Sequence, residues 1–342
     1  MTDIDPDESR LAGGESPAVP PGPLPPGPLP PGYVPADRVG LTPRAAVRPR
    51  DAEALEPASQ AVPSDRIESR PFLDIPGSPP ATRSAAWRWL LYALIGFLVG
   101  QVAAALLGIV AGDIAGKTAT QMTAIASASV PPEWYVLSTL GGVWVGFFGA
   151  PWLASMTQGT RHFLADLGVR FRWVDLWGIA IGVGGQYALE LLYWPFQHDI
   201  HNFNAPGQKL TGGAHGAGFL VVALATVILA PFLEEQFFRG LLFKALVRLF
   251  TPLSAGAAGA TGATATSRAR GIGLAIAVVV DGLVFGLAHG EWVQLAGLAL
   301  FGVALAVISY RTGRLGMNMT AHAAFNLVAV LTILHQRGGV IH

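Results

Sequence analysis

Phe219-Leu220-Val221-Val222-Ala223-Leu224-Ala225-Thr226-Val227-Ile228-Leu229-Ala230-Pro231-Phe232-Leu233 is an apolar run broken only by Thr226, and it leads directly into Glu234-Glu235-Gln236-Phe237-Phe238-Arg239. The run predicts a membrane-spanning helix over 219–238, near the roughly 20 residues a bilayer requires. It also puts two carboxylates and a guanidinium where hydrocarbon is expected. Ionisable groups inside a span are costly enough that function is the default explanation.

Outward from this run, six more apolar stretches of similar length lie at about 87–109, 135–154, 173–194, 271–289, 293–310 and 315–334. The expected fold is therefore all-α, a polytopic membrane helical bundle of about seven spans. Composition agrees: 51% of the 342 residues are hydrophobic and only 13% are charged, about half the charged share of a soluble domain. A formal net charge of zero, with no basic cluster interleaved with aromatics, gives no reason to invoke nucleic acid. The absence of cysteine excludes disulfides, thiolate nucleophiles and Cys-ligated metals. Asp3, Asp5, Asp7 and Glu8 replace the basic region of a cleavable signal peptide, so the first span is expected to serve as its own insertion signal.

Residues 1–84 are rich in Pro, Gly and Ala and include a near repeat, Pro20-Pro21-Gly22-Pro23-Leu24 and Pro25-Pro26-Gly27-Pro28-Leu29. Such a segment buries too little apolar surface to offset its ordering entropy, and it reads as a disordered tail with polyproline II character. It is a spacer or a docking tail for a proline-recognising partner. Beyond it, Arg83, Arg88, Arg161, Arg170, Arg172, Lys244, Arg248, Arg268, Arg270, Arg311 and Arg314 fall on one side of the spans. Lys117, Lys209 and Arg337 fall on the other. The excess of basic residues predicts a cytoplasmic N-terminus and an external C-terminus, as in an inner-membrane protein.

Trp87, Trp89, Trp134, Trp173 and Trp194 lie at span ends, where aromatic side chains anchor a protein at the interface. The Gly96/Gly100 and Gly178/Gly182 spacings bring helices together. Residues 254–267, almost wholly Ala, Gly and Thr, read as a flexible cytoplasmic connection. His198-Asp199-Ile200-His201 has the look of a metal clip but lacks a third ligand.

The chemistry-bearing residues fall on three spans. Neighbours on a helix point about 100° apart, so Glu234 and Glu235 cannot face one reacting atom together. Glu235 precedes Arg239 by four residues, the favourable order for an ion pair, which leaves Glu234 free to face a cavity and take a proton from water. Pro231 removes one backbone hydrogen bond and gives room beside the acidic pair. His322 and Asn326 stack on one face of the last span, as Phe285 and His289 do on theirs. Imidazole can bind a metal or donate a proton, and an amide can stabilise an oxyanion. Phe285 can wall the pocket while His289 orients water or ligates metal. Asp281 shares the Phe285 face and reads as a polar helix contact. Taken singly, the acidic motif also fits an ion or proton relay, and each histidine a packing role.

The three motifs, in this order on successive spans, resemble the CPBP family of intramembrane proteases, which includes the type II CAAX prenyl endopeptidases and the bacterial Abi proteins. The likeness covers roughly residues 165–335 and is strongest at 230–240, 285–289 and 311–326. It makes 85–164 accessory spans, 165–335 the protease core and 336–342 a short C-terminal tail. The resemblance implies catalytic roles for Glu234, His289, His322 and Asn326, with Glu235 and Arg239 completing the first motif. It implies hydrolysis of a peptide bond in a membrane-associated protein or peptide. If a divalent metal such as zinc takes part, Glu234, His289 and His322 are its expected ligands; the other course is water activated by glutamate and histidine alone. The expected roles are Glu234 as general base, His289 holding the attacking water or metal, and His322 with Asn326 stabilising the oxyanion. The rival readings are a proton- or ion-coupled transporter and a non-catalytic immunity or scaffold protein. One tension remains in the pattern: Glu234 and His322 fall toward the cytoplasmic half, whereas His289 falls near the external end of its span. A single site requires the hairpin at Gly290 and Glu291 to dip into the bundle.

Overall fold

The computed structural model describes residues 83–196, 205–211, 213–251 and 260–336. The proline-rich tail up to residue 82, the segment His198-Asp199-Ile200-His201, Arg337 and the rest of the C-terminal tail lie outside the described residues. Within them the chain is helical, with one isolated β-bridge between Pro132 and Gly213. In order the helices are α1 (Arg83–Ile114), α2 (Ala119–Ala126), α3 (Glu133–Gln158), α4 (Phe163–Leu167), α5 (Trp177–Tyr193) and α6 (Ala205–Thr211). They continue with α7 (Gly216–Phe250), α8 (Ala260–Ala288), α9 (Leu295–Thr312) and α10 (Gly316–Gln336).

Six helices, α1, α3, α7, α8, α9 and α10, are long and apolar enough to cross a membrane. Leu94, Leu98 and Val102 of α1 and Leu220, Leu224 and Ile228 of α7 are exposed, which suits an acyl-chain solvent and no other. The chain is thus an integral membrane protein. The expected span at 173–194 is helical without a break from Trp173 to Phe196, but it is not regular α-helix throughout. Its regular α-helix has 17 residues, because the chain winds as a 3₁₀ turn over Trp173–Leu176 and again over Trp194–Phe196. Asp175 causes the first irregularity: its carboxylate accepts from the Arg172 backbone N–H at 2.8 Å and is held by Arg314 at 2.7 Å. Residues 260–267, expected as part of a flexible connection, instead begin α8. Alanine, the strongest helix former, recurs there without proline.

Close backbone approach assembles the bundle. A Cβ on Gly146 would overlap the Gly96 carbonyl, so α1 and α3 touch main chain to main chain. A Cβ on Gly182 would overlap the Ala321 carbonyl, which fixes α5 on α10. Both paired-glycine readings are therefore packing sites. Trp87, Trp173 and Trp194 are exposed as interface anchors should be. Trp89 is not: it is 3% exposed and lies beneath the Arg248 guanidinium, 4.6 Å from its carbon.

The basic residues gather at one end. There Lys244 Nζ donates to the Asp166 carbonyl at 2.7 Å, Leu315 N–H donates to Gly168 O at 2.8 Å, and Arg314 clasps Asp175. At the opposite end Pro132 meets Gly213, and Gly207 lies against Ile333.

The 35 residues of α7 exceed what a bilayer needs, and two π-helical segments, Ala225–Leu229 and Gln236–Phe243, interrupt its α-helical winding. These segments bracket the acidic pair, a placement common for π-bulges at functional sites. The first has a local cause. Ala230 N–H bonds to Ala225 O, five residues back. In that register the N–H that Pro231 lacks would have served Thr226 O, which instead accepts from Asn326 Nδ2 at 2.9 Å.

Candidate active site

Glu235 is the hub of the polar core. One oxygen, Oε1, meets Arg239 Nη1 at 3.0 Å and His322 Nδ1 at 3.0 Å, and Oε2 accepts from Asn318 Nδ2 at 3.2 Å. The carboxylate is fully buried. Arg239 is equally buried and spreads its guanidinium over three partners. These are Glu235, the Gly302 carbonyl at 3.1 Å and Asp281 Oδ2 at 3.4 Å from Nε. Its flat face lies on Phe285, with the guanidinium carbon 4.3 Å from the ring centroid. A planar, five-donor cation is the one side chain that can serve all of these at once. Asp281, read as a polar helix contact, thereby becomes the second carboxyl group of this network.

Glu234 points elsewhere, as the 100° step along a helix demands. It keeps 16% side-chain exposure and lines a cavity of about 850 Å³. Its Oε2 lies 3.8 Å from His289 Nε2 and 3.8 Å from His322 Nε2. Both separations exceed hydrogen-bond length, and Oε2 has no hydrogen-bond partner.

The tautomers follow from the other ring nitrogens. His289 Nδ1 is 2.8 Å from the Phe285 carbonyl, which can only accept, so Nδ1 carries the hydrogen. His322 Nδ1 meets the Glu235 carboxylate and carries a hydrogen by the same argument. In the neutral rings both Nε2 atoms are lone pairs, and both face a carboxylate oxygen. With Glu234 ionised and both rings neutral, all three atoms are acceptors, each Nε2 lying 3.8 Å from the carboxylate oxygen. Such a focus calls for a donor or a cation.

His289 reaches this focus because the α8–α9 hairpin stops inside the bundle. Gly290, at φ +67°, makes a turn that an L side chain resists, and Gln294 N–H closes the next turn on Glu291 O at 3.1 Å. The neighbours run further: after His322, α10 continues to Gln336, a rise of about 20 Å, and Val330 packs there on Phe219 and Val222 of α7. The tension in the sequence pattern is thus resolved by a hairpin that ends at the level of Glu234.

The structure brings together Glu234, Glu235, Arg239, His289 and His322, with Phe285 stacked edge-on between the two imidazoles at 4.7 and 5.5 Å. Asn326 lines the same cavity, yet one hydrogen of its amide is committed to Thr226 O. Asn318 was missed by the sequence reading. Its spacing of four from His322 puts it on the same helix face, which is the signal that marks it. Replacing Asn318 with Ala leaves Glu235 Oε2 and the Leu305 carbonyl without their donor. A loss of about 1–3 kcal/mol is expected, read as a lower melting temperature in detergent.

A divalent cation was a possible member of the site. Among the described residues no group of three His, Asp or Glu side chains is close enough together to hold a metal ion as it stands. The donor types are those a divalent cation takes: each Nε2 lies 3.8 Å from an unpartnered carboxylate oxygen, and each imidazole is oriented from behind by an acceptor, as metal-binding histidines are.

A helical membrane bundle whose polar core joins two glutamates, two histidines and an arginine defines a membrane protein with an intramembrane carboxylate–imidazole site. The family model for type II CAAX prenyl endopeptidases, Rce1-like, matches residues 216–328, the stretch that carries all three motifs. The match agrees with the CPBP resemblance and supports a membrane endopeptidase. No curated protein and no solved structure matches the chain.

Proposed function

We propose that the protein is an intramembrane endopeptidase that hydrolyses a peptide bond of a membrane-associated protein or peptide. The observation that carries this reading is the placing of Glu234 Oε2 3.8 Å from each of the two Nε2 atoms on the wall of a cavity of about 850 Å³. A water molecule fits that focus, giving one hydrogen to Glu234 and the other to an imidazole.

In this mechanism Glu234 takes a proton from the water as its oxygen attacks the scissile carbonyl. A C–O bond forms, and negative charge develops on the carbonyl oxygen. The proton then passes to the amide nitrogen, the C–N bond breaks, and the products are a carboxylate and an amine. His289 orients the water from a ring fixed on Phe285 O. His322 is held in plane by Glu235, and its Nε2 can relay the proton that Glu234 has taken. The second amide hydrogen of Asn326, the one not used by Thr226, is available to the oxyanion. Glu235 and Arg239 brace this arrangement without touching the reacting atoms. A divalent cation bound by Glu234, His289 and His322 would polarise the carbonyl and lower the proton affinity of the water.

The test compares new peptide termini among membrane proteins from cells carrying the wild-type chain with those from cells carrying Glu234→Gln. Termini present only with the wild type are expected. Identical sets in a strain that produces both proteins equally would overturn the reading.

A further inference from the structure

The cavity is elongated along the bundle and reaches the exposed Lys209 and Gln336 at one end. Its base is Glu234, His289 and His322, and along α10 its wall continues through Asn326 and Ile333 to Gln336. On the facing side α3 contributes Phe147 at the base and Tyr135 at the far end, where Pro131, Gly207 and Thr211 form the rim. The shaft therefore extends about 20 Å along the helix axes, the rise of α10 from His322 to its end. That length accommodates about six residues of extended chain. Toward the other end of the bundle it is stopped. Phe237, Phe238, Leu241 and Phe243 of α7 are at most 2% exposed, and Arg239 and Asp281 beneath the site are fully buried.

The two ends differ in charge. The closed end carries Arg88, Arg161, Arg170, Arg172, Arg248, Arg268, Arg270, Arg311 and Arg314. Among the described residues the open end carries Lys117 and Lys209 as its only Lys or Arg, beside Asp113 and Glu133. An excess of Lys and Arg marks the cytoplasmic side of a membrane protein. Sequence pattern alone put the catalytic glutamate in the cytoplasmic half, but that says nothing about where its water and substrate come from. The shaft decides the matter, because it joins the glutamate to the charge-poor end.

We propose that the catalytic shaft opens away from the cytoplasm, so that its substrate is the extracytoplasmic segment of a membrane-anchored polypeptide. This deepens the endopeptidase reading and rests on it. Water reaches Glu234 from outside, and the arginine-rich end serves as a closed cytoplasmic floor. The amides of Gln186 and Gln294 and the hydroxyl of Thr226 line the wall between rim and base. The Gln186 Oε1 and Thr226 Oγ1 atoms are buried without hydrogen-bond partners, as groups reserved for a peptide backbone would be.

The chain contains no cysteine, which makes the test direct. Single substitutions Thr332→Cys in the shaft wall and Arg311→Cys at the arginine-rich end are exposed, in intact cells, to a charged, membrane-impermeant thiol reagent. Thr332→Cys is expected to react from outside and Arg311→Cys only after permeabilisation. Lys209→Cys at the rim repeats the measurement should Thr332→Cys fail to accumulate. Arg311→Cys reacting from outside while the shaft position is protected would overturn the proposal, as would shaft labelling that requires permeabilisation. Labelling does not depend on proteolysis, so outside labelling of a protein that never generates new termini would reject the endopeptidase reading and leave the direction of the opening standing. Where termini are generated, they are expected in extracytoplasmic segments; cytoplasmic termini would again overturn the proposal.

Discussion

Glu234→Gln is expected to leave the helices inserted and packed while lowering peptide cleavage by about 10²–10⁴-fold, the usual contribution of a positioned general base. The replacement is close to isosteric and removes one charge from a cavity wall. It also puts an N–H donor where two imidazole lone pairs and a carboxylate oxygen now face one another. The fold should be as stable as the wild type or more so, because the focus of acceptors is relieved. An unchanged melting temperature in detergent together with lost cleavage is the expected pair of results. Retained cleavage would remove Glu234 from its role. Loss of the folded protein would mean that the carboxylate is structural.

Arg239→Leu is expected to act on the fold itself. The guanidinium is the one cation shown in contact with Glu235 and Asp281, both of which have no exposure. Removing it takes from Glu235 its ion-pair partner at 3.0 Å and from Asp281 its neighbouring cation, and breaking a buried pair typically costs about 3–5 kcal/mol. The protein should fail to accumulate or should melt at a far lower temperature. Arg239→Lys should rescue it only in part, since a point-like ammonium cannot span Glu235, Asp281 and Gly302 O together or lie flat on Phe285. Wild-type stability for Arg239→Leu would contradict the network.

Much of this site could be read from spacing alone. The i, i+4 relations of Glu235 to Arg239, Phe285 to His289 and His322 to Asn326 each predict a shared helix face, and each pair lies where that rule puts it. The division of labour between Glu234 and Glu235 follows from the 100° step. The first π-helical segment, before the acidic pair, was not legible, because its register depends on Asn326, on another helix, supplying the hydrogen bond that Pro231 cannot. Asn318 was overlooked although it stands four residues before His322, because that spacing marks a shared face without revealing the Glu235 carboxylate that the amide serves. The depth of His289 is likewise a tertiary fact: the length of α8 says where the hairpin lies along the chain, and the longer α7 and α10 decide that it ends within the bundle. The 3₁₀ turn that opens the 173–194 segment was not legible either, because it depends on Asp175 and Arg314, residues far apart in sequence.

The central claim is that Glu234, His289 and His322 share one wet chamber in which a peptide bond is hydrolysed. The most direct measurement uses the purified chain in liposomes with a membrane-anchored peptide that carries a fluorophore and quencher, while lumenal pH is recorded at the same time. Cleavage by the wild type, none by Glu234→Gln, and no protein-dependent proton flux from either is the predicted result. Proton flux that requires Glu234, with the peptide left intact, would contradict it.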